Sequence, residues 1–340
     1  MQLLDNYYEH KLLHFIDIHD NVILTKLKPH DLHRLLNLLN HYKLRLRNNI
    51  GLNKNITFGY ELEMEYVDKI KMADVWYKEE YSKKYEYKND GTLNDGVEIA
   101  SPILMDEKKT WNLLVQICNI CNEFGSIGPN SGGHIHIGAH SLNYEKDELL
   151  NFLYLWACFE NVISRFSYGL FLNHRPALKS YAKPVAYSYS KIYSEYKNSK
   201  YASIHDIIKR LSYSKNLAIN FKNVKDFNKQ AYKNTIEFRT PNESLNPIIK
   251  QNEILLFWKL LEYAKNSNFD YDKVKSIYLE NYERFSDVNS YNKIYLSQAI
   301  ILADMIFDNN LDKLYFLRQY IKSFQVSEKS MVKAKQFTKY

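Results

Sequence analysis

Four short stretches of this chain carry residue types that could do chemistry together: Gly59-Tyr60-Glu61-Leu62-Glu63, Gly96-Val97-Glu98, His134-Ile135-His136 and Glu237-Phe238-Arg239. Each alternates polar and apolar residues, the pattern of a β-strand with its polar side chains on one face. Glu61, Glu63 and Glu65 would share a face, as would His134 with His136 and Glu237 with Arg239. Carboxylates crowded on an inward sheet surface repel one another: two of them ~4 Å apart cost roughly 4 kcal/mol at an effective dielectric of ~20. Divalent cations that hold an anionic substrate would offset that cost. Taken singly, each stretch also reads as an ordinary feature, whether a solvated sheet face, core histidines or a plain ion pair. Four of them in this order point to one metal-dependent site. The turn Asn130-Ser131-Gly132-Gly133 ahead of the histidines would let the backbone approach an anion closely. Arg239 could clamp phosphate oxygens bidentately.

These strands need elements to position them. Pro29 to Arg47 repeats leucines at helical spacing, with Pro29 in a first turn, and Asn21 to Thr25 suggests a short strand. Phe58 to Val67 reads as a strand, Lys69 to Lys88 as an extended or hairpin segment, and Asn89-Asp90-Gly91 as a turn before a strand over Val97 to Ile103. Thr110 to Phe124 is amphipathic and stops at Gly125, and a long helix is predicted from about Asn143 to Phe166. Leu217 to Phe221 and Thr235 to Thr240 read as strands, Asn246-Pro247 opens another helix, and residues 268–340 look helical with a basic tail. The division expected is 1–55 as an N-terminal accessory segment, 56–267 as the catalytic domain and 268–340 as a helical C-terminal region. The fold class expected is α+β.

Composition narrows the partners. The 340 residues carry 46 basic and 39 acidic side chains, a net charge of +7. The basic residues are scattered rather than gathered in a stripe, so a nucleic-acid partner is not expected, and a phosphate or carboxylate substrate suits the mild field. The three cysteines Cys118, Cys121 and Cys158 make no disulfide framework, and the first two fall inside a helical pattern as core thiols. Asp5, Glu9 and His10 interrupt any leader-like apolar run, and no stretch reaches the ~18 apolar residues of a membrane span. The expectation is a soluble, cytoplasmic protein with no membrane partner. Oligomeric state is open. There is no Walker A sequence and no Gly-x-Ser-x-Gly.

The motifs also carry a resemblance. Phe58-Gly59-Tyr60-Glu61-Leu62-Glu63, Asp90-Gly91-Thr92-Leu93, Gly96 to Pro102, Ser131-Gly132-Gly133-His134-Ile135-His136-Ile137-Gly138 and Thr235-Ile236-Glu237-Phe238-Arg239 together resemble the putative amidoligase family. That family belongs to the carboxylate–amine ligases with a glutamine-synthetase-like fold. The resemblance covers about residues 56–265, and departs in having Gly132 where members often carry cysteine. It implies a glutamine-synthetase-like antiparallel sheet, flanked by helices, that forms a concave metal and ATP site. It implies an ATP-dependent C–N ligase working through an acyl phosphate on two Mg²⁺ ions, with small-molecule or peptide carboxylates and amines as substrates. By position, Glu61, Glu63, Glu98, His134 and Glu237 would hold metal. His136 and Arg239 would contact nucleotide phosphates and, with Glu237, act in catalysis. Asp90 would have a substrate or metal role. Arg175, Tyr181 and Lys183 look like the family's basic segment, and Arg210 is a softer case, so Arg175, Lys183 and Arg210 are expected as further cofactor-binding cations. Rival readings are a guanidino-kinase-like phosphotransferase of the same fold, a metal-dependent hydrolase that needs no nucleotide, and a binding module without catalysis.

Overall fold

A computed structural model describes residues 10–12, 14, 21–79, 81–200, 202–224, 234–281 and 287–322. Among them, six strands form one antiparallel sheet: β1 (Phe58–Met64), β2 (Glu86–Asp90), β3 (Gly96–Ala100), β4 (Ile135–Gly138), β5 (Ile219–Asn220) and β6 (Thr235–Phe238). The order across the sheet is β2-β3-β1-β4-β6-β5. Alternation sorts the side chains. Tyr60, Leu62 and Met64 of β1, Val97 and Ile99 of β3, Ile135 and Ile137 of β4, and Ile236 and Phe238 of β6 are buried in one continuous core. The opposite face carries the acids and histidines.

Helices pack on the apolar face and on one another. They are α1 (Pro29–His41), α2 (Lys69–Lys78), α3 (Lys108–Phe124), α4 (Lys146–Ser167), α5 (Leu178–Tyr181), α6 (Ala186–Tyr196), α7 (Ile204–Leu211), α8 (Pro247–Ala264), α9 (Tyr271–Asn281), α10 (Leu296–Ile306) and α11 (Asn310–Ile321). Phe58 stacks on Trp111 of α3 with ring centroids 5.2 Å apart, and Phe238 stacks on Phe257 of α8 at 4.2 Å. Trp156 of α4 packs on the same two rings. α4 and α8 are buried over almost their whole length, so both are apolar nearly all round. The N-cap at Asn246, whose side chain accepts from Ile248 N, and Pro247 in the first turn start α8 as expected. All three cysteines are buried, and none of them is joined in a disulfide.

Two local readings differ. Asn21 to Thr25 forms no strand: Leu24–Lys26 is a 3₁₀ turn, because Asp304 of α10 accepts hydrogen bonds from Leu24 N and Thr25 N. Lys69 to Lys78 is the helix α2, capped by Asp68, where an extended segment was expected. Met72 and Trp76, four apart, are its buried positions, and Tyr81, Tyr85 and Tyr87 surround the indole. The short helix lacked a wide apolar stripe; an aromatic cluster from neighbouring elements supplies its packing.

The flanking segments are tied to each other. Arg47 pairs with Asp312 at 2.5 Å, Arg318 Nε donates to Tyr42 O, and Tyr315 OH donates to Arg45 O. α10 and α11 join the same hydrophobic core as the sheet. The helices expected beyond residue 268 are α9, α10 and α11. The basic tail lies outside the described residues. None of the described helices is long and apolar enough to cross a membrane.

Candidate active site

Strand register gathers the motifs. Glu63 of β1 stands opposite Glu98 of β3, which stands opposite Lys88 of β2. In a second row, Gly59 of β1, His136 of β4, Glu237 of β6 and Asn220 of β5 follow one another. Glu61 and His134 lie between these rows, with Glu61 N donating to His134 O. Glu61 and Glu237, 176 positions apart in the chain, thus share one surface because the β1–β4 and β4–β6 pairings place them there.

Two groups on this face have ligand atoms within 4.8 Å of one another: Glu61 with His136 and Glu237, and Glu63 with Asp90 and Glu98. His134 joins them. Its Nδ1 lies 2.7 Å from Glu61 Oε2 and 3.7 Å from Glu237 Oε1, and its Nε2 lies 3.6 Å from Glu63 Oε1. His136 Nε2 lies 3.1 Å from the other Glu61 oxygen. The geometry puts His136 in a three-ligand group and His134 between the two groups. Asp90 accepts from Thr92 N and Oγ1 at 2.7 Å through one oxygen, an Asx turn that aims its carboxylate beside Glu63 and Glu98.

Electrostatics set the character of the face. Five carboxylates, Glu61, Glu63, Asp90, Glu98 and Glu237, meet two permanent cations, Lys88 on Glu98 and Arg239 on Glu237. Burial pushes the Glu61 carboxyl up, but hydrogen bonds from His134 and His136 more than offset it and hold the group well below the usual range. Burial acts likewise on Glu237, and the Arg239 guanidinium, followed by His134, brings it below its ordinary value. Glu98 goes the other way: burial and the Glu61 charge raise it against the pull of Lys88. The excess of negative charge on a mostly buried surface fits divalent cations, and an oxygen-rich set with one imidazole suits a hard ion such as Mg²⁺.

The glycine loop approaches an anion that belongs to the site itself. Gly132 N donates to Glu63 Oε2 at 2.5 Å, so the loop's amide holds a site carboxylate. Gly133 N donates to Pro241 O, and a Cβ on Gly133 would lie 2.3 Å from Lys250 Nζ. One on Gly132 would lie 2.8 Å from Arg175 Nη2. Two buried cations thus lie close beneath the loop, and a side chain at either glycine would displace one of them.

The expected phosphate-binding cations separate. Arg239 is at the site, its Nη1 donating to Glu237 Oε1 and its Nε to Tyr181 O. Arg175 is 1% exposed and donates to the carbonyls of Pro241 and Arg239. It braces the strand end and the glycine loop rather than facing open space, and burial lowers its guanidinium to about 10. Lys183 is exposed, and its backbone pairs with Asn216 and Ala218 beside β5. Arg210 pairs at 3.4 Å with Glu195 of α6 in an exposed ion pair.

Several residues that support the site gave no sequence signal. Glu243, fully buried, accepts from Glu63 N at 2.7 Å and pairs with Lys250 Nζ at 2.8 Å. Asn220 donates to Glu237 Oε2. Glu65, read with Glu61 and Glu63 as facing the site, lies past the end of β1 and accepts from Asn94 and Asn130 instead. It clamps two loops. Gly128 is needed there, because a Cβ would lie 1.2 Å from Glu65 Oε2.

No curated protein matches the chain significantly. A family profile described as "Putative amidoligase enzyme" matches residues 58–259, which holds every site residue named above and more than half of the sequence. The chain therefore belongs to the putative amidoligase enzyme family.

Proposed function

We propose that this protein is an ATP-dependent carboxylate–amine ligase of glutamine-synthetase-like architecture. The observation that carries the reading is the pair of three-ligand groups on one sheet face, bridged by His134. Glu61, His136 and Glu237 would hold one Mg²⁺, and Glu63, Asp90 and Glu98 a second. When bound, such ions neutralise nucleotide phosphates and favour transfer of the γ-phosphoryl group.

The chain's own residues would do the rest. Arg239 sits at the rim of the first group, where its guanidinium can leave Glu237 for phosphate oxygens as charge builds on them. A carboxylate substrate would attack the γ-phosphorus, breaking its bond to ADP and forming an acyl phosphate. An amine would then attack the acyl carbon, expel phosphate and lose a proton to leave an amide. His134 Nδ1 donates to Glu61 in one tautomer, which fixes the ring and leaves Nε2 turned towards Glu63. No side-chain nucleophile is needed.

The test is an ADP-release screen with Mg²⁺ against pooled carboxylates and amines, followed by mass analysis. An amide plus phosphate is the expected product. A stable phosphorylated acceptor would identify a phosphotransferase, and turnover without nucleotide a hydrolase.

A further inference from the structure

The second three-ligand group contains a cation of its own. Lys88, Glu98 and Glu63 lie directly opposite one another on three adjacent strands, with side chains on the same face. Lys88 Nζ is 2.7 Å from Glu98 Oε1, and Glu98 is one of the three residues whose oxygens converge within 4.8 Å. A divalent ion there would draw on the same carboxylate and would sit within a few ångströms of the ammonium. Like charges at that range repel strongly, even at the effective dielectric of a half-exposed site. Lys88 also has a second anchor: Glu86, on the same strand and face, brings Oε2 to 3.8 Å. The ammonium can therefore swing from Glu98 to Glu86 without entering bulk solvent unpaired. In the first group the nearby cation is Arg239, which lies against Glu237 and whose Nε is tied to Tyr181 O.

We propose that Lys88 is a built-in competitor of the divalent ion for Glu98, and that its displacement towards Glu86 sets how tightly the Glu63–Asp90–Glu98 group takes its metal. The inference rests on the two-ion reading above and adds a regulatory part for a residue that reading does not use. In the ion-free protein the ammonium neutralises Glu98 and keeps the acidic row from repelling itself apart. Loading the second ion then requires exchange of one cation for another, which weakens apparent affinity.

The experiment is Mn²⁺ binding to the purified protein, followed by electron paramagnetic resonance of the free ion, for wild type, Lys88→Gln, Lys88→Arg, Glu98→Gln and Glu237→Gln. Glu98→Gln and Glu237→Gln should each weaken a different class of site. Lys88→Gln should tighten the Glu98-dependent class by about tenfold and leave the other unchanged, whereas Lys88→Arg should stay near wild type because the charge remains. Unchanged or weaker binding in Lys88→Gln, with both glutamate variants behaving as expected, overturns the competition alone. Wild-type protein that takes up no Mn²⁺ overturns the two-ion reading with it.

Discussion

His134 Nδ1 lies 2.7 Å from Glu61 Oε2, while the same ring's Nε2 lies 3.6 Å from Glu63 Oε1. One imidazole thus touches carboxylates of both candidate ion groups. Its hydrogen bond is also the chief influence holding the Glu61 carboxyl below the ordinary range against burial. His134→Ala should therefore weaken Mn²⁺ binding at both groups, whereas His136→Ala should weaken only the one it shares with Glu61 and Glu237. Equal, single-class losses in the two variants would show that His134 does not couple them.

Glu63 and Glu237 belong to different groups, yet the two-ion reading makes both indispensable. Glu63→Ala and Glu237→Ala should each lower ADP release by ~100-fold or more, the scale on which loss of preorganised charge stabilisation is felt. Circular dichroism should remain that of the wild type. ADP release at the wild-type rate from either variant removes that residue from the metal set.

The Lys250–Glu243 pair is fully buried beneath the glycine loop. Removing one member leaves an uncompensated charge, so Lys250→Met should destabilise the fold by about 3–5 kcal/mol in urea titration. Adding Glu243→Gln should recover part of that loss. Additive losses in the double variant would mean that the two side chains do not stabilise each other.

Glu253 on α8 is fully buried, neither of its carboxylate oxygens has a hydrogen-bond partner, and burial raises it to about 8 despite Lys250. The folded state holds this proton more tightly than the unfolded chain, whose value is ~4.3. Its favourable contribution is complete below that value and is lost as pH rises to about 8. Glu253→Gln should therefore melt above the wild type at pH 8.5 and close to it at pH 4.5. A constant difference across that range would place the ionisation elsewhere.

Much of the site was legible before any coordinates. Glu61, Glu63, Glu98, His136 and Glu237 each sit in a strand whose polar positions alternate, and alternation survives folding because one face must be apolar. α2 was missed for the complementary reason. Its burial comes from Trp76 against tyrosines of the following segment, which no local period records. The surroundings of Arg175 were not legible either, because which carbonyls meet a cation, here those of Pro241 and Arg239, is set by tertiary packing.

The amino-acid order alone determined which residues are polar on which strand face and which stretch matches the family. Tertiary structure decided the rest. Cross-strand register split the acids into two groups, set His134 between them, brought Lys88 against Glu98 and put Glu243 behind Glu63. Those pairings join residues far apart in the chain, and their distances follow from how strands align and helices pack, which local periodicity does not encode.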